Sequence, residues 1–225
     1  MDAAHRILFN QTRSFSASLH RNLGEDLDIK TYRMDDIEIV RHGCRTARLV
    51  KAMLHCMEHA GVHAAICTGP DSISIVAGAR YHDIGKFCIP PEILHKCERL
   101  DLAEYEVVKL HSAIGSAIVR CAERENEPLS AHLSMIRMAV LHHHERWDGG
   151  GYPLGIKGSE IPLVARLVTL ADTYDALVSA RPYKDGLDGR EAMRRIRDES
   201  GGQFDPDLVS CFEAAAELVR SWGRI

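Results

Sequence analysis

Six apolar segments recur at helical spacing, at 37–60, 73–84, 105–121, 133–143, 163–177 and 208–219, and no other feature restricts the chain as tightly. Runs of β-branched residues are rare, and glycine or proline punctuates the segments rather than interrupting them. Each such helix has one apolar stripe, and several stripes leave water together only by packing on one another. The expected fold is therefore all-α, a compact helical bundle. Pro162 stands where a first helical turn tolerates it, and Pro182 follows the end of the same segment. Two stretches read as irregular, 87–100 and the glycine-rich 147–162. The first 35 residues are polar and weakly periodic, and are expected to form a helical connector or extension ahead of a main domain at 36–225.

With 225 residues, 45% of them hydrophobic, the chain can bury one sizeable core. A net charge of −4 gives no global field for nucleic acid or anionic membrane, so an anionic ligand must be held by a local patch or by bound metal. There is neither an apolar run of spanning length nor a basic-then-apolar start. The seven cysteines are scattered without a CxxC pair, which suits reduced thiols and a cytoplasmic protein better than a disulfide framework.

Thirteen histidines are present, several beside acids or one another. His82-Asp83-Ile84-Gly85-Lys86 closes an apolar segment. A neutral imidazole and a carboxylate there offer nitrogen and oxygen to a divalent cation, and the carboxylate can bridge two. Gly85 is expected to end the helix and leave Lys86 facing the same cavity. A lone His-Asp pair is more often a solvated helix end, so further ligands must decide. His111 lies on the next apolar segment, the run His142-His143-His144-Glu145 closes another, and Asp172 sits within a very apolar stretch where an unpaired carboxylate is costly. Glu38 and His42 are four apart and share a helical face. Such a set suits a hydrolytic site holding two or more metals. Arg181-Pro182-Tyr183-Lys184 adds two cations and a ring that could clamp phosphate and base. His55, His59 and His63 also recur every four residues, but Gly61 interrupts them and Glu58 is the only nearby acid; they read as a solvated face.

The order HDIGK (82–86), HHERWDGGGYP (143–153), ADTYDAL (171–177) and RPYK (181–184) resembles the HD-GYP family of the HD phosphohydrolase superfamily, over about residues 36 to 212. The resemblance implies a helical catalytic domain hydrolysing cyclic di-GMP to linear pGpG and onward to GMP through a metal-bound hydroxide. It implies metal ligands at His42, His82, Asp83, His111, His143, His144 and Asp172, with Glu38 at the position of a third-metal ligand. Asp83 and Lys86 are the implied catalytic residues. Lys86, Arg181 and Lys184 match phosphate contacts, Asp175 matches an acid near the substrate, and Tyr152 with Pro153 matches the signature loop. The implied cofactors are two or three divalent ions, iron or manganese ahead of zinc, nickel or cobalt. Alternatives are another cyclic dinucleotide such as cyclic GMP-AMP, a nucleotide monoester, or a low-turnover module that binds the dinucleotide or docks a GGDEF-type partner through Gly151-Tyr152-Pro153. A homodimer is also compatible.

Overall fold

The computed structural model describes residues 6–8, 10, 37–179 and 185–221. Among them are seven helices of ten or more residues: α1 (Ile37–Ala60), α2 (Gly69–Tyr81), α3 (Leu102–Glu125), α4 (Ser130–His142), α5 (Leu163–Val178), α6 (Gly189–Asp198) and α7 (Pro206–Ser221). Short 3-10 turns fill the connections, and the described residues hold no strand beyond an isolated Ser200–Phe204 bridge. The fold is all-α, as expected.

Local chemistry sets several boundaries. At α3 the Asp101 carboxylate accepts from the Glu104 amide at 2.8 Å, while Glu104 accepts from the Asp101 amide at 2.8 Å, a reciprocal cap. Helix α2 stops at Tyr81, before His82-Asp83, and a 3-10 turn runs through Ile84–Cys88. Its buried face carries Ile75 and Ala79, whereas Ile73 is 65% exposed. Periodicity did not mark α6, which is strongly charged and buries only Ala192, Met193 and Ile196. Its start is nonetheless fixed by Asp188, whose carboxylate accepts from the Arg190 and Glu191 amides at 2.7 and 3.1 Å.

Helix α1 lies against α2, α5 and α7. Leu49, Met53, Leu167, Leu170 and Phe212 are fully buried in this main core. A second apolar cluster joins Ile84, Ile118, Leu133, Ile136 and Val140. Leu8, from the stretch expected to be an extension, is fully buried in it. All seven cysteines are free. No helix among the described residues is long and apolar enough to cross a membrane.

Two close backbone approaches bring the histidine-bearing helices together. A Cβ at Gly43 would stand 2.3 Å from the Arg80 carbonyl oxygen, so glycine lets α1 touch α2 beside His42 and His82. A Cβ at Gly85 would stand 1.9 Å from the carbonyl oxygen of His111 and 2.7 Å from the Gly115 amide nitrogen. The expectation that Gly85 ends the helix is not met: the helix stops at Tyr81, and Gly85 lies within the Ile84–Cys88 turn. It is small because the Ile84–Cys88 turn lies directly on α3.

Candidate metal centre

His42 projects from α1, His82 caps α2, Asp83 opens the following turn, His111 lies on α3, His143 and His144 follow α4, and Asp172 lies on α5. Their potential ligand atoms gather in two groups, Asp83 with His111, His143 and His144, and His42 with His82 and Asp172; within each, all lie within 4.8 Å of one another. Asp83 stands between them. Its Oδ1 is 3.3 Å from His111 Nε2 and 3.8 Å from His143 Nε2. Its Oδ2 is 3.4 Å from His82 Nε2 and 3.8 Å from His42 Nε2.

The imidazoles are oriented from behind. Nδ1 of His82 lies 2.8 Å from the Ala79 carbonyl, Nδ1 of His111 2.7 Å from that of Val108, and Nδ1 of His143 2.9 Å from that of Val140. A carbonyl only accepts, so each Nδ1 carries the proton and each neutral Nε2 presents a lone pair to the site. His111 and His143 Nε2 are 3.2 Å apart, two lone pairs facing each other. His82 Nε2 and Asp83 Oδ1 are buried without a hydrogen-bond partner. Buried acceptors in that state are costly, and a shared cation relieves the cost. Imidazole nitrogen and carboxylate oxygen are ordinary ligands of divalent metals, so these residues fit such ions.

Electrostatics agree with a cation-seeking site. Burial pushes the His111 imidazolium down to about 3, and burial likewise lowers His143 and His144. These rings are neutral, as ligands must be. Burial opposes charge on Asp83, but the Lys86 ammonium beside it outweighs burial and holds the carboxyl well below its usual range. Burial opposes charge on Asp172 as well, and the hydrogen bond from His42 outweighs it, so this carboxyl is also held low. Burial opposes charge on His42 too, yet hydrogen bonds to Asp172 and Asp175 push it up to about 10. In the metal-free protein, His42 and Lys86 supply positive charge against these acids; the Lys86 ammonium donates to Asp83 Oδ2 at 2.6 Å.

Two of the expected site residues meet other partners in the structure. Asp175, expected near the substrate, is fully buried. Its Oδ2 lies 2.6 Å from His42 Nδ1, and its Oδ1 accepts from Arg45 Nε at 2.7 Å. Asp175 is therefore positioned to orient His42 from behind. Glu38, expected to hold a third metal, belongs to neither group; its side chain is 64% exposed and accepts from Arg45 Nη2 at 2.9 Å. Sequence reading did not single out Arg45, although its place three residues after His42 was a usable signal. Arg181 and Lys184 lie outside the described residues.

The glycine-rich loop is clamped onto the end of α4. The Tyr152 amide donates to the His144 carbonyl at 3.1 Å, and the Leu154 amide to Glu145 Oε1 at 2.7 Å. A Cβ at Gly151 would meet the Arg146 amide nitrogen at 2.4 Å, so only glycine lies flat there. The Tyr152 ring consequently stacks on His144, centroids 4.7 Å apart at 26°. Burial raises the Tyr152 phenol, keeping it neutral. Glu145 is fully buried and stood out in sequence only as part of a histidine run; its work is to hold this loop.

Helical bundle and histidine–aspartate cluster together define a protein of the HD class. The chain belongs to the HD domain family, whose sequence model matches residues 37–208. Among curated relatives, a "Cyclic di-GMP phosphodiesterase" of Vibrio cholerae is 38% identical over 182 residues, 81% of this chain and 37% of the relative. A "3'3'-cGAMP-specific phosphodiesterase 3" of the same organism is 35% identical over 149 residues, 66% of this chain and 31% of the relative. The chain spans 40% or less of the length of the first curated relatives it matches. Among solved structures, Bd1817, an HDG"Y"P protein from Bdellovibrio bacteriovorus, superposes with a TM-score of 0.59 at 19% identity, covering 81% of this chain and 52% of that one, a likeness of fold.

Proposed function

We propose that this domain is a metal-dependent phosphodiesterase that hydrolyses cyclic di-GMP to linear pGpG and onward to GMP. The observation that carries the proposal is Asp83, whose two oxygens are divided between two groups of imidazoles. In this reading Asp83, His111, His143 and His144 would hold one ion, and His42, His82 and Asp172, with Asp83 between the groups, would hold a second. Bound ions supply Lewis acidity toward phosphoryl oxygens and acidify water. Imidazole and carboxylate ligands permit iron, manganese, zinc, nickel or cobalt without choosing among them, and the HD-GYP resemblance places iron or manganese first.

The chain's own groups do the rest. Asp175 holds the His42 ring so that Nε2 faces the second ion. Lys86, beside Asp83 at the edge of the site, would offer its ammonium to the phosphate and offset charge building there. Tyr152, stacked on His144, walls one side of the site and keeps solvent from it. Arg181 and Lys184 are the proposed further phosphate contacts. The Gly151-Tyr152-Pro153 loop, exposed at Pro153, is where a GGDEF-type partner would dock.

The relative named for 3'3'-cGAMP supports a second reading with that substrate, because a metal core of this kind is indifferent to the base. Anaerobic purification, elemental analysis and product chromatography on both dinucleotides test the proposal. Linear product from cyclic di-GMP is expected, and tight binding without any linear product, all ligands intact, refutes hydrolysis. Asp83→Ala should lose both ions and turnover together; loss of only one ion refutes the bridge.

A further inference from the structure

We propose that His55, Glu58 and His59, on the outer face of α1, form a separate binding site for a borderline divalent ion, with Zn2+ as its best-suited ligand. Spacing favours such a site. Residues at i, i+3 and i+4 share one helical face, and His55-Cys56-Met57-Glu58-His59 places two imidazoles and a carboxylate on it. One ligand atom from each of the three lies within 4.8 Å of the others. The two rings are 4.2 Å apart between centroids and tilted by 58°.

Ring orientation favours it independently. His59 Nδ1 lies 2.8 Å from the His55 backbone carbonyl. Its proton is thereby fixed on Nδ1, and Nε2 is left with a lone pair. The same device orients His82, His111 and His143. His63, the third member of the stripe seen in the sequence, leaves the helix: α1 ends at Ala60, and Gly61 turns at φ 68°. Glu58 replaces it. Two nitrogens and one oxygen satisfy the usual preference of Zn2+, with remaining positions for water. Space for that water exists, because His55 and Glu58 border a groove of about 770 Å³ between α1 and α2.

All three side chains are exposed, so binding requires no desolvation of a buried charge. His55 lies thirteen residues beyond His42, about 20 Å along the helix at 1.5 Å per residue, so the two metal events are independent. One consequence is that a third equivalent of metal found on this protein belongs here and not to Glu38.

Titration of the metal-free full chain with Zn2+, followed by equilibrium dialysis and elemental analysis, tests the site. His55→Ala/His59→Ala is expected to bind one equivalent fewer than the unsubstituted chain, with the metal-free melting temperature unchanged. Glu58→Gln should weaken that equivalent by about tenfold or more, at least the loss that altered metal-supporting residues produce. The proposal is overturned if the double variant binds Zn2+ with the same stoichiometry and affinities as the unsubstituted chain. It is equally overturned if Glu38→Ala, rather than the double variant, removes an equivalent.

Discussion

Replacing Gly85 with alanine adds one methyl group where the turn carrying Asp83 lies on the helix carrying His111. The new Cβ would stand 1.9 Å from the His111 carbonyl oxygen, 2.7 Å from the Gly115 nitrogen and 2.8 Å from the His111 carbonyl carbon. Ordinary contact begins near 3.5 Å, so the two backbones must part by roughly 1.5 Å. All three obstacles are backbone atoms and none can rotate away. Overpacking of this kind costs about 1–3 kcal/mol or more, and each kcal/mol lowers the melting temperature of a chain this size by about 2–4 °C. The functional effect should be larger than the loss of stability. The shift separates Asp83 from His111, so the group of Asp83, His111, His143 and His144 should lose its ion while His42, His82 and Asp172 retain theirs. A displacement of about 1 Å costs on the order of 100-fold in rate, so turnover should fall at least that far. Thermal melting, elemental analysis and product chromatography on one preparation read all three effects. A Gly85→Ala protein that melts within about 1 °C of the unsubstituted chain and keeps its full metal complement would falsify the reasoning.

Asp175→Asn separates an orienting role from substrate contact: metal affinity at the His42 group should drop about 10- to 100-fold, whereas a raised KM at unchanged metal content would restore the substrate role. Glu38→Ala should leave the metal count unaltered, since its carboxylate serves Arg45; loss of an equivalent would return it to the ligand set. The metal-free protein should be most stable near pH 6.5. His42 is raised to about 10, so its contribution is fully present below the unfolded value of 6.5 and is lost as pH rises toward 10. His111 is lowered to about 3, so its contribution is present above 6.5 and lost as pH falls toward 3. Each group contributes a slope of at most about 1.4 kcal/mol per pH unit. Urea midpoints that stay flat from about pH 5 to 9 in the metal-free protein would contradict both assignments.

Periodicity alone determined that the chain is a helical bundle, because an apolar residue every three to four positions can be buried in no other regular structure. It missed α6, where ten residues carry only three buried side chains and the charges hide the stripe. The histidines and acids that the two groups bring together could be named from sequence, since such residues are rare inside apolar segments for reasons other than chemistry. Sequence could not divide them into two groups, because that depends on how helices cross, and the crossings depend on glycines whose neighbours lie far along the chain. Gly43 meets Arg80, and Gly85 meets His111. Nor could it separate the acid that faces the site from the acid behind it. Asp172 and Asp175 lie one turn apart on α5, and only the path of α1 places His42 between them, with Nε2 2.9 Å from Asp172 and Nδ1 2.6 Å from Asp175. Residue types are written in the sequence, whereas their roles follow from which side of a ring they touch, and tertiary packing alone decides that.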